Sequence, residues 1–278
     1  MSSSSPPDVA PATRSSLADD LRTLSVAEGD TVMVHAAFRR VGTVLGGPDA
    51  LVDALLDAVG PRGSVVSYQD WELGLDVWDD TGAVRSELRP HVPPYDPTTA
   101  RPARDHGVLA ATIGTRPGVR RSGNPGASVA ALGARAEELT HDHPLDHGYG
   151  EGSPLARLVA LGGRVLMVGA PLDTMTLLHH AEALADLPDK RRVRVEYPLA
   201  AADGGVAWRW AEELDTSRPV VAGLADDYFA DVVAAFLDAS TGTQDARRGR
   251  VGAADSVLVD AAAITSYAVT WLEERHRT

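Results

Sequence analysis

The chain has no cysteine and a single lysine, Lys190, and aromatic residues occupy only 5% of its 278 positions. Without a thiol there can be no disulfide framework, no thiolate zinc site and no cysteine nucleophile. A covalent intermediate would then need Ser, Thr, Lys, His or a carboxylate. One lysine and scattered arginines give no clustered basic face, so nucleic acid, whose binding rests largely on phosphate neutralisation, is set aside as a partner. No apolar stretch approaches the roughly 18 residues of a membrane span, and the Ser-, Pro- and Ala-rich start lacks the basic and apolar regions of a signal peptide. Residues 1–14 are expected to form a disordered tail, residues 15–278 a single domain, and the compartment is expected to be the cytoplasm.

What is present is acid. The formal net charge is −13. An acidic balance can steer and concentrate a cationic substrate, although solubility alone also explains it. Apolar residues make up 44% of the chain, enough for one large core.

Helical and strand-like signals alternate along the chain, which predicts an α/β fold with a mixed, largely parallel sheet flanked by helices. A helix capped by Ser15 or Ser16 runs to about Leu24, and a turn at Gly29-Asp30 leads into a strand over 31–35. Gly46-Gly47-Pro48 opens a second helix, and Gly60-Pro61-Arg62-Gly63 closes it before a strand over 64–68. Periodicity then fails from Gln69 to Arg104. So long an irregular stretch is either functional or disordered, and Trp71, Trp78 and Tyr95 argue against plain disorder. Beyond it the pattern predicts a helix near 108–114, a strand over 128–132, a helix over 134–139, a His-rich loop over 140–152 and a helix begun by Ser153-Pro154. An apolar strand over 164–168 follows, then a helix over about 175–185 and β-like segments at 193–197 and 206–210. A helix near 226–237, a basic loop over 241–250, a strand over 256–259 and a final helix complete the chain.

The densest chemistry lies in Thr176-Leu177-Leu178-His179-His180-Ala181-Glu182, directly after the apolar strand, where open α/β sheets bind ligands. His179 and Glu182, at i and i+3, share a helix face. A carboxylate beside an imidazole fixes its tautomer and stabilises its cation, which suits a general base acting on an amine. His180 points about 100° away. On its own the pair could equally be ordinary, partly buried polar residues. Two acidic clusters lie beside aromatics: Asp70, Trp71 and Glu72, and Glu213 and Asp215 after Trp208 and Trp210. Carboxylates next to aromatic faces suit a cationic, sugar-like ligand; an acidic solvated surface is the plainer explanation. Neither a phosphate-binding nor a dinucleotide-binding glycine loop is present, and there is no G-x-S-x-G elbow or H-E-x-x-H zinc motif. No metal is expected.

These segments resemble the aminoglycoside 3-N-acetyltransferase family. The likeness runs from about Leu17 to Glu274. It is carried by Gly29 to His35, Leu45-Gly46-Gly47-Pro48, Val59 to Gly63, Arg121-Ser122, Gly152-Ser153-Pro154, Gly169 to Thr174, His179 to Glu182, Asp186 to Arg191 and Glu213 to Thr216. Trp208-Arg209-Trp210 and Leu224 to Phe229 look nearest to the subgroup acting on gentamicin-type compounds. The resemblance implies the family's own α/β fold, distinct from the GNAT acetyltransferases. It also implies transfer of an acetyl group from acetyl-CoA, as co-substrate, to the 3-amine of a 2-deoxystreptamine ring, giving antibiotic resistance. By the same likeness His179 (or its neighbour His180) is the base, Glu182 its partner, and Thr176 sits near the thioester carbonyl. His35, Ala36, Ala37, Phe38, Arg39, Arg121, Ser122 and Ser153 would contact CoA. Asp70, Trp71, Glu72, Glu213 and Asp215 would hold the drug. Many relatives carry a His before the Pro of the block that follows Arg-Ser; this chain has Asn124-Pro125. An acyltransferase with another amine acceptor, a non-catalytic drug- or CoA-binding module, and a homodimer all remain compatible with the residues.

Overall fold

The computed structural model describes residues 10–276. The elements, in chain order, are α1 (Arg14–Thr23), β1 (Thr31–Ala36), α2 (Gly47–Val59), β2 (Ser64–Tyr68), α3 (Gly107–Gly114), β3 (Arg120–Arg121), β4 (Val129–Gly133), α4 (Ala136–Thr140) and α5 (Pro154–Ala160). They continue with β5 (Arg164–Val168), α6 (Leu178–Leu184), β6 (Arg192–Ala200), β7 (Val206–Leu214), α7 (Tyr228–Ala239), β8 (Ala246–Val251), β9 (Ala254–Asp260) and α8 (Ala261–His276).

Seven strands form one mixed sheet in the order β3-β4-β2-β1-β5-β9-β8. The expected mixed α/β sheet is therefore present, but parallel pairing is confined to its centre, where β1 lies between β2 and β5. β4 joins β2, and β9 joins β5, in antiparallel sense. Side chains alternate across a strand, so the apolar strands feed two cores. Val32, Val34, Val65, Leu166 and Val168 pack on one face with Leu17 and Leu21 of α1, Leu51 and Leu55 of α2 and Ile113 of α3. Met33, Val66, Val165 and Met167 pack on the other with residues of α4 to α8, including Leu139, Leu158, Leu178, Val233 and Ile264.

Several boundaries differ from the sequence reading. The expected tail lies mostly outside the described residues. Of the part inside, Ala12 bridges to Val44 and Thr13 caps α1 in a reciprocal box with Ser16, two residues before the first of the serines expected to do so. The basic segment expected to be a loop contains an edge strand, β8, paired with β9 over its whole length. Its exposed arginines break the apolar alternation that marks a strand, and the pairing comes from its neighbour.

β6 and β7 form a separate two-stranded sheet of nine residue pairs. The irregular segment after β2 wraps around it. The Gly82 carbonyl accepts the Glu196 N–H at 2.8 Å, the Trp78 indole donates to the Glu196 carbonyl at 2.8 Å, and Arg89 reaches the Glu196 carboxylate at 2.6 Å. Tyr95 bridges to Leu199. Gly82 adopts φ 80°, and a Cβ there would run into the Arg194 carbonyl, so the wrap needs glycine at this point. No helix among the described residues is long and apolar enough to cross a membrane.

Candidate active site

The carboxyl ends of β2, β1 and β5 open side by side onto one edge of the sheet, and the hairpin β6–β7 faces them. α6 starts ten residues beyond β5, after a 3-10 turn over Leu172–Thr174. Its first turn carries His179, whose Nδ1 lies 2.6 Å from Glu182 Oε2, as the i, i+3 spacing predicts. That hydrogen bond places the proton on Nδ1 and leaves Nε2 as a lone-pair acceptor, with no protein partner among the described residues. The Tyr228 hydroxyl donates to Glu182 Oε1. Glu182 is thus buried with both oxygens engaged. The His179 ring sits between Tyr149 and Phe229, with centroids 5.1 and 4.9 Å away. It lines an open cleft together with Asp173, Glu182, Ser217, Asp226 and Tyr228.

His180 is placed differently from His179. The ring is buried, its Nδ1 bonds to the Tyr149 carbonyl at 2.8 Å, and burial pulls its pKa below the usual histidine value. It pins the loop before α5 to α6 and takes no part in the cleft. Thr176 accepts the His179 N–H on its carbonyl at 3.0 Å, and its hydroxyl has no protein hydrogen bond among the described residues.

Of the residues expected to contact CoA, those at the β1 edge stay together. His35 and Ala36 end the strand, and Ala37, Phe38 and Arg39 enter a 3-10 turn whose Arg39 is exposed. His35 Nε2 is buried without a hydrogen-bond partner, and burial with the nearby His106 brings its pKa down to about 4. An unpaired buried nitrogen beside an exposed guanidinium fits an edge that receives a polar ligand. The other three bond within the protein. The Arg121 guanidinium is spent on the Gln69 and Ala100 carbonyls and the Ser128 hydroxyl. Ser122 is fully buried, accepting the Val129 N–H and bonding to His143 Nδ1 at 2.9 Å. Ser153 is the buried N-cap of α5, accepting the Ala156 N–H at 3.1 Å. Each is tied into the scaffold by these bonds.

The acidic residues divide similarly. Asp70 follows β2 and Glu213 lies on β7, and the Tyr149 and Tyr197 phenols feel both charges. Glu213 accepts the Leu214 N–H at 2.8 Å and also the Gly148 N–H, yet burial dominates and pushes its carboxyl up to about 7. Glu72 is exposed and accepts the Arg104 N–H at 3.1 Å. Trp71 packs on Tyr95 at 5.5 Å. Asp215 closes a turn onto Ser217, which places Ser217 and Arg218 in the cleft wall. Asn124, where relatives carry histidine, is also structural: its amide donates to the Pro144 carbonyl at 2.8 Å, and its oxygen accepts the Gly126 and Ala127 N–H groups.

The sequence reading missed four rings. Tyr68 and Tyr149 share a 2.7 Å hydroxyl contact on the cleft floor, Tyr228 holds Glu182, and His106 bonds to Asp70. Each pairs across tens of residues, and no local spacing records it. Among the described residues no three His, Asp or Glu side chains converge to hold a metal ion.

Comparison with known proteins gives consistent matches. The profile of the family described as aminoglycoside 3-N-acetyltransferase matches residues 33–273. An aminoglycoside N(3)-acetyltransferase III of Pseudomonas aeruginosa is 43% identical over 267 residues, covering 95% of each chain. Among solved structures, AAC-IIIb in a binary complex with CoASH superposes with a TM-score of 0.93 at 59% identity, covering 97% of this chain and 99% of that one. AAC-VIa bound to sisomicin superposes with a TM-score of 0.89 at 36% identity, covering 97% and 100%.

Proposed function

The chain belongs to the aminoglycoside 3-N-acetyltransferase family, and from that premise we propose which of its residues carry the reaction. It is an acyltransferase that uses acetyl-CoA as co-substrate and acetylates the 3-amino group of 2-deoxystreptamine aminoglycosides. In this reading the product protects the cell from the drug, and the enzyme works in the cytoplasm.

The observation that carries the assignment is the His179–Glu182 pair on the wall of an open cleft, with Glu213 close enough to feel the His179 ring and with the Asp70 and Glu213 charges both acting on the Tyr149 and Tyr197 phenols. The acceptor arrives as a polycation. Asp70 and Glu213 bind its ammonium groups, and partial burial of both strengthens these contacts over their value in water. Glu72 and Asp215 add negative charge at the rim, and Trp71 gives the sugar-like ligand an apolar edge. His179 Nε2 takes the proton of the attacking 3-amine. Glu182 holds the tautomer that makes this possible and stabilises the imidazolium that results.

Acetyl-CoA supplies the activated acyl group. The turn formed by His35, Ala36, Ala37, Phe38 and Arg39 holds it, with Arg39 as the exposed cation. The Thr176 hydroxyl, unengaged by the protein, donates toward the acetyl oxygen as negative charge grows there; a donor of this kind is worth roughly 3–4 kcal/mol. Holding donor and acceptor side by side supplies much of the remaining rate.

The test is thiol release from acetyl-CoA with gentamicin and with an analogue lacking the 3-amine, followed by NMR mapping of the product. Release with gentamicin alone and a single acetyl group on N-3 are expected. Acetylation at another nitrogen, or turnover of the analogue at a similar rate, would overturn the assignment.

A further inference from the structure

His106 precedes α3 on the wall opposite the hairpin, and its Nε2 bonds to Asp70 Oδ1. We propose that His106 is a specificity-determining residue of the acceptor subsite: by occupying one oxygen of Asp70, it sets how much negative charge that carboxylate offers a cationic acceptor. This rests on the reading above that Asp70 lines the acceptor pocket.

The geometry gives Asp70 two unequal faces. Oδ1 is held by the imidazole, while Oδ2 has no protein partner among the described residues and the side chain is 33% exposed. Asp70 is therefore a shared carboxylate, with one oxygen committed within the protein and the other left for an incoming ammonium. When His106 carries its second proton, the pair is neutral overall and attracts a cation weakly. When it loses that proton, the pair carries a full negative charge.

The groups facing His106 come from every element packed around it. Asp70, after β2, supplies the hydrogen bond, and Asp105, on its own turn, lies 3.9 Å from Nδ1. Tyr68 of β2 presents its ring edge-on at 5.0 Å. His35 of β1 and Arg121 of β3 act on it through space. Burial works against the charged imidazole, but Asp70 and Asp105 outweigh it and raise its pKa above the ordinary histidine value. The imidazole therefore keeps its second proton to higher pH than a free histidine does.

His106→Gln keeps a donor near the position of Nε2 without the charge. At pH 6 its KM for gentamicin should be about two- to fivefold below that of the wild type, the scale of a partly exposed ionic contact. Its kcat and its KM for acetyl-CoA should stay unchanged. At pH 8.5 the gain should be smaller, because the wild-type imidazole loses its second proton as pH rises; titration of the drug's own amines cancels in the ratio of the two proteins. By reciprocity, saturating gentamicin should lower the midpoint of the His106 ring titration in the wild-type NMR spectrum. That measurement needs no variant to fold.

A wild-type-to-variant KM ratio that is the same at both pH values, or a ring midpoint unmoved by gentamicin, would overturn the proposal. Asp70→Asn separates the two levels of the argument. If it raises the gentamicin KM while His106→Gln changes nothing, only the role of His106 fails. If it leaves the gentamicin KM at the wild-type value, the placement of Asp70 fails and the proposal with it.

Discussion

Glu182 holds His179 at 2.6 Å from one turn further along the same short helix, and that contact decides which nitrogen faces the cleft. The other carboxylate oxygen is taken by Tyr228, 46 residues away. The His179 imidazole is therefore oriented by a relay that begins in α7.

Removing the imidazole should stop the chemistry and spare the fold. His179→Ala is expected to lower kcat by about 10²–10⁴, with a thermal midpoint close to wild type because the side chain is partly exposed. Thiol release within a few-fold of wild type would rule His179 out as the base.

The relay should grade its losses. Glu182→Gln keeps the shape but removes the charge that supports the imidazolium, so kcat should fall roughly a hundredfold or more. Tyr228→Phe removes one donor from a buried carboxylate and should cost roughly five- to tenfold. In both variants the gentamicin KM should move little. A loss confined to KM would mean that these residues shape the pocket and do not position the base.

Ser153 separates scaffold from co-substrate contact. Its hydroxyl caps α5, so Ser153→Ala should cost about 1 kcal/mol, or about 2–4 °C in Tm for a chain of this size. The KM for acetyl-CoA should not change. A raised acetyl-CoA KM with unaltered Tm would restore Ser153 to the donor site.

Stability should carry the mark of two buried groups as pH varies. Burial lifts Glu213 from 4.5 to about 7 in the folded chain. Between those values the folded state keeps a proton that the unfolded chain has lost, so this group's contribution falls as pH rises and levels off above about 7. His143 works in reverse. Burial takes it from 6.5 down to about 4, so its contribution is complete above 6.5 and is lost as pH falls toward 4. Glu213→Gln should therefore gain stability relative to wild type as pH rises from 4.5 to 7, whatever its absolute Tm. A Tm difference constant across that range, followed by calorimetry, would contradict the placement of Glu213.

The sequence made β2 and β5 legible to the residue because each is a short apolar run bounded by glycine turns. β8 was not, because Arg247, Arg248 and Arg250 hide an edge strand whose order comes from β9. The same division runs through the site. His179 and Glu182 could be paired from spacing because one helix carries both. His106 with Asp70, and Tyr228 with Glu182, are pairs made by tertiary folding, and no periodicity marks them. For Ser122 and Arg121 the motif alone is silent for a related reason: a polar residue in a motif can satisfy the backbone just as well as a ligand, and its partners in the fold, here all within the protein, have no local spacing.

The detached hairpin β6–β7 has a consequence for how such an enzyme changes its diet. Its two strands hydrogen-bond to each other and to an irregular wrap, and to none of the seven strands of the main sheet. Glu213 rides on this outboard piece, while His179 and the β1 turn belong to the chassis. On the proposed assignment, mutations in the hairpin would remodel which antibiotics are admitted and leave the machinery that delivers the acyl group in place.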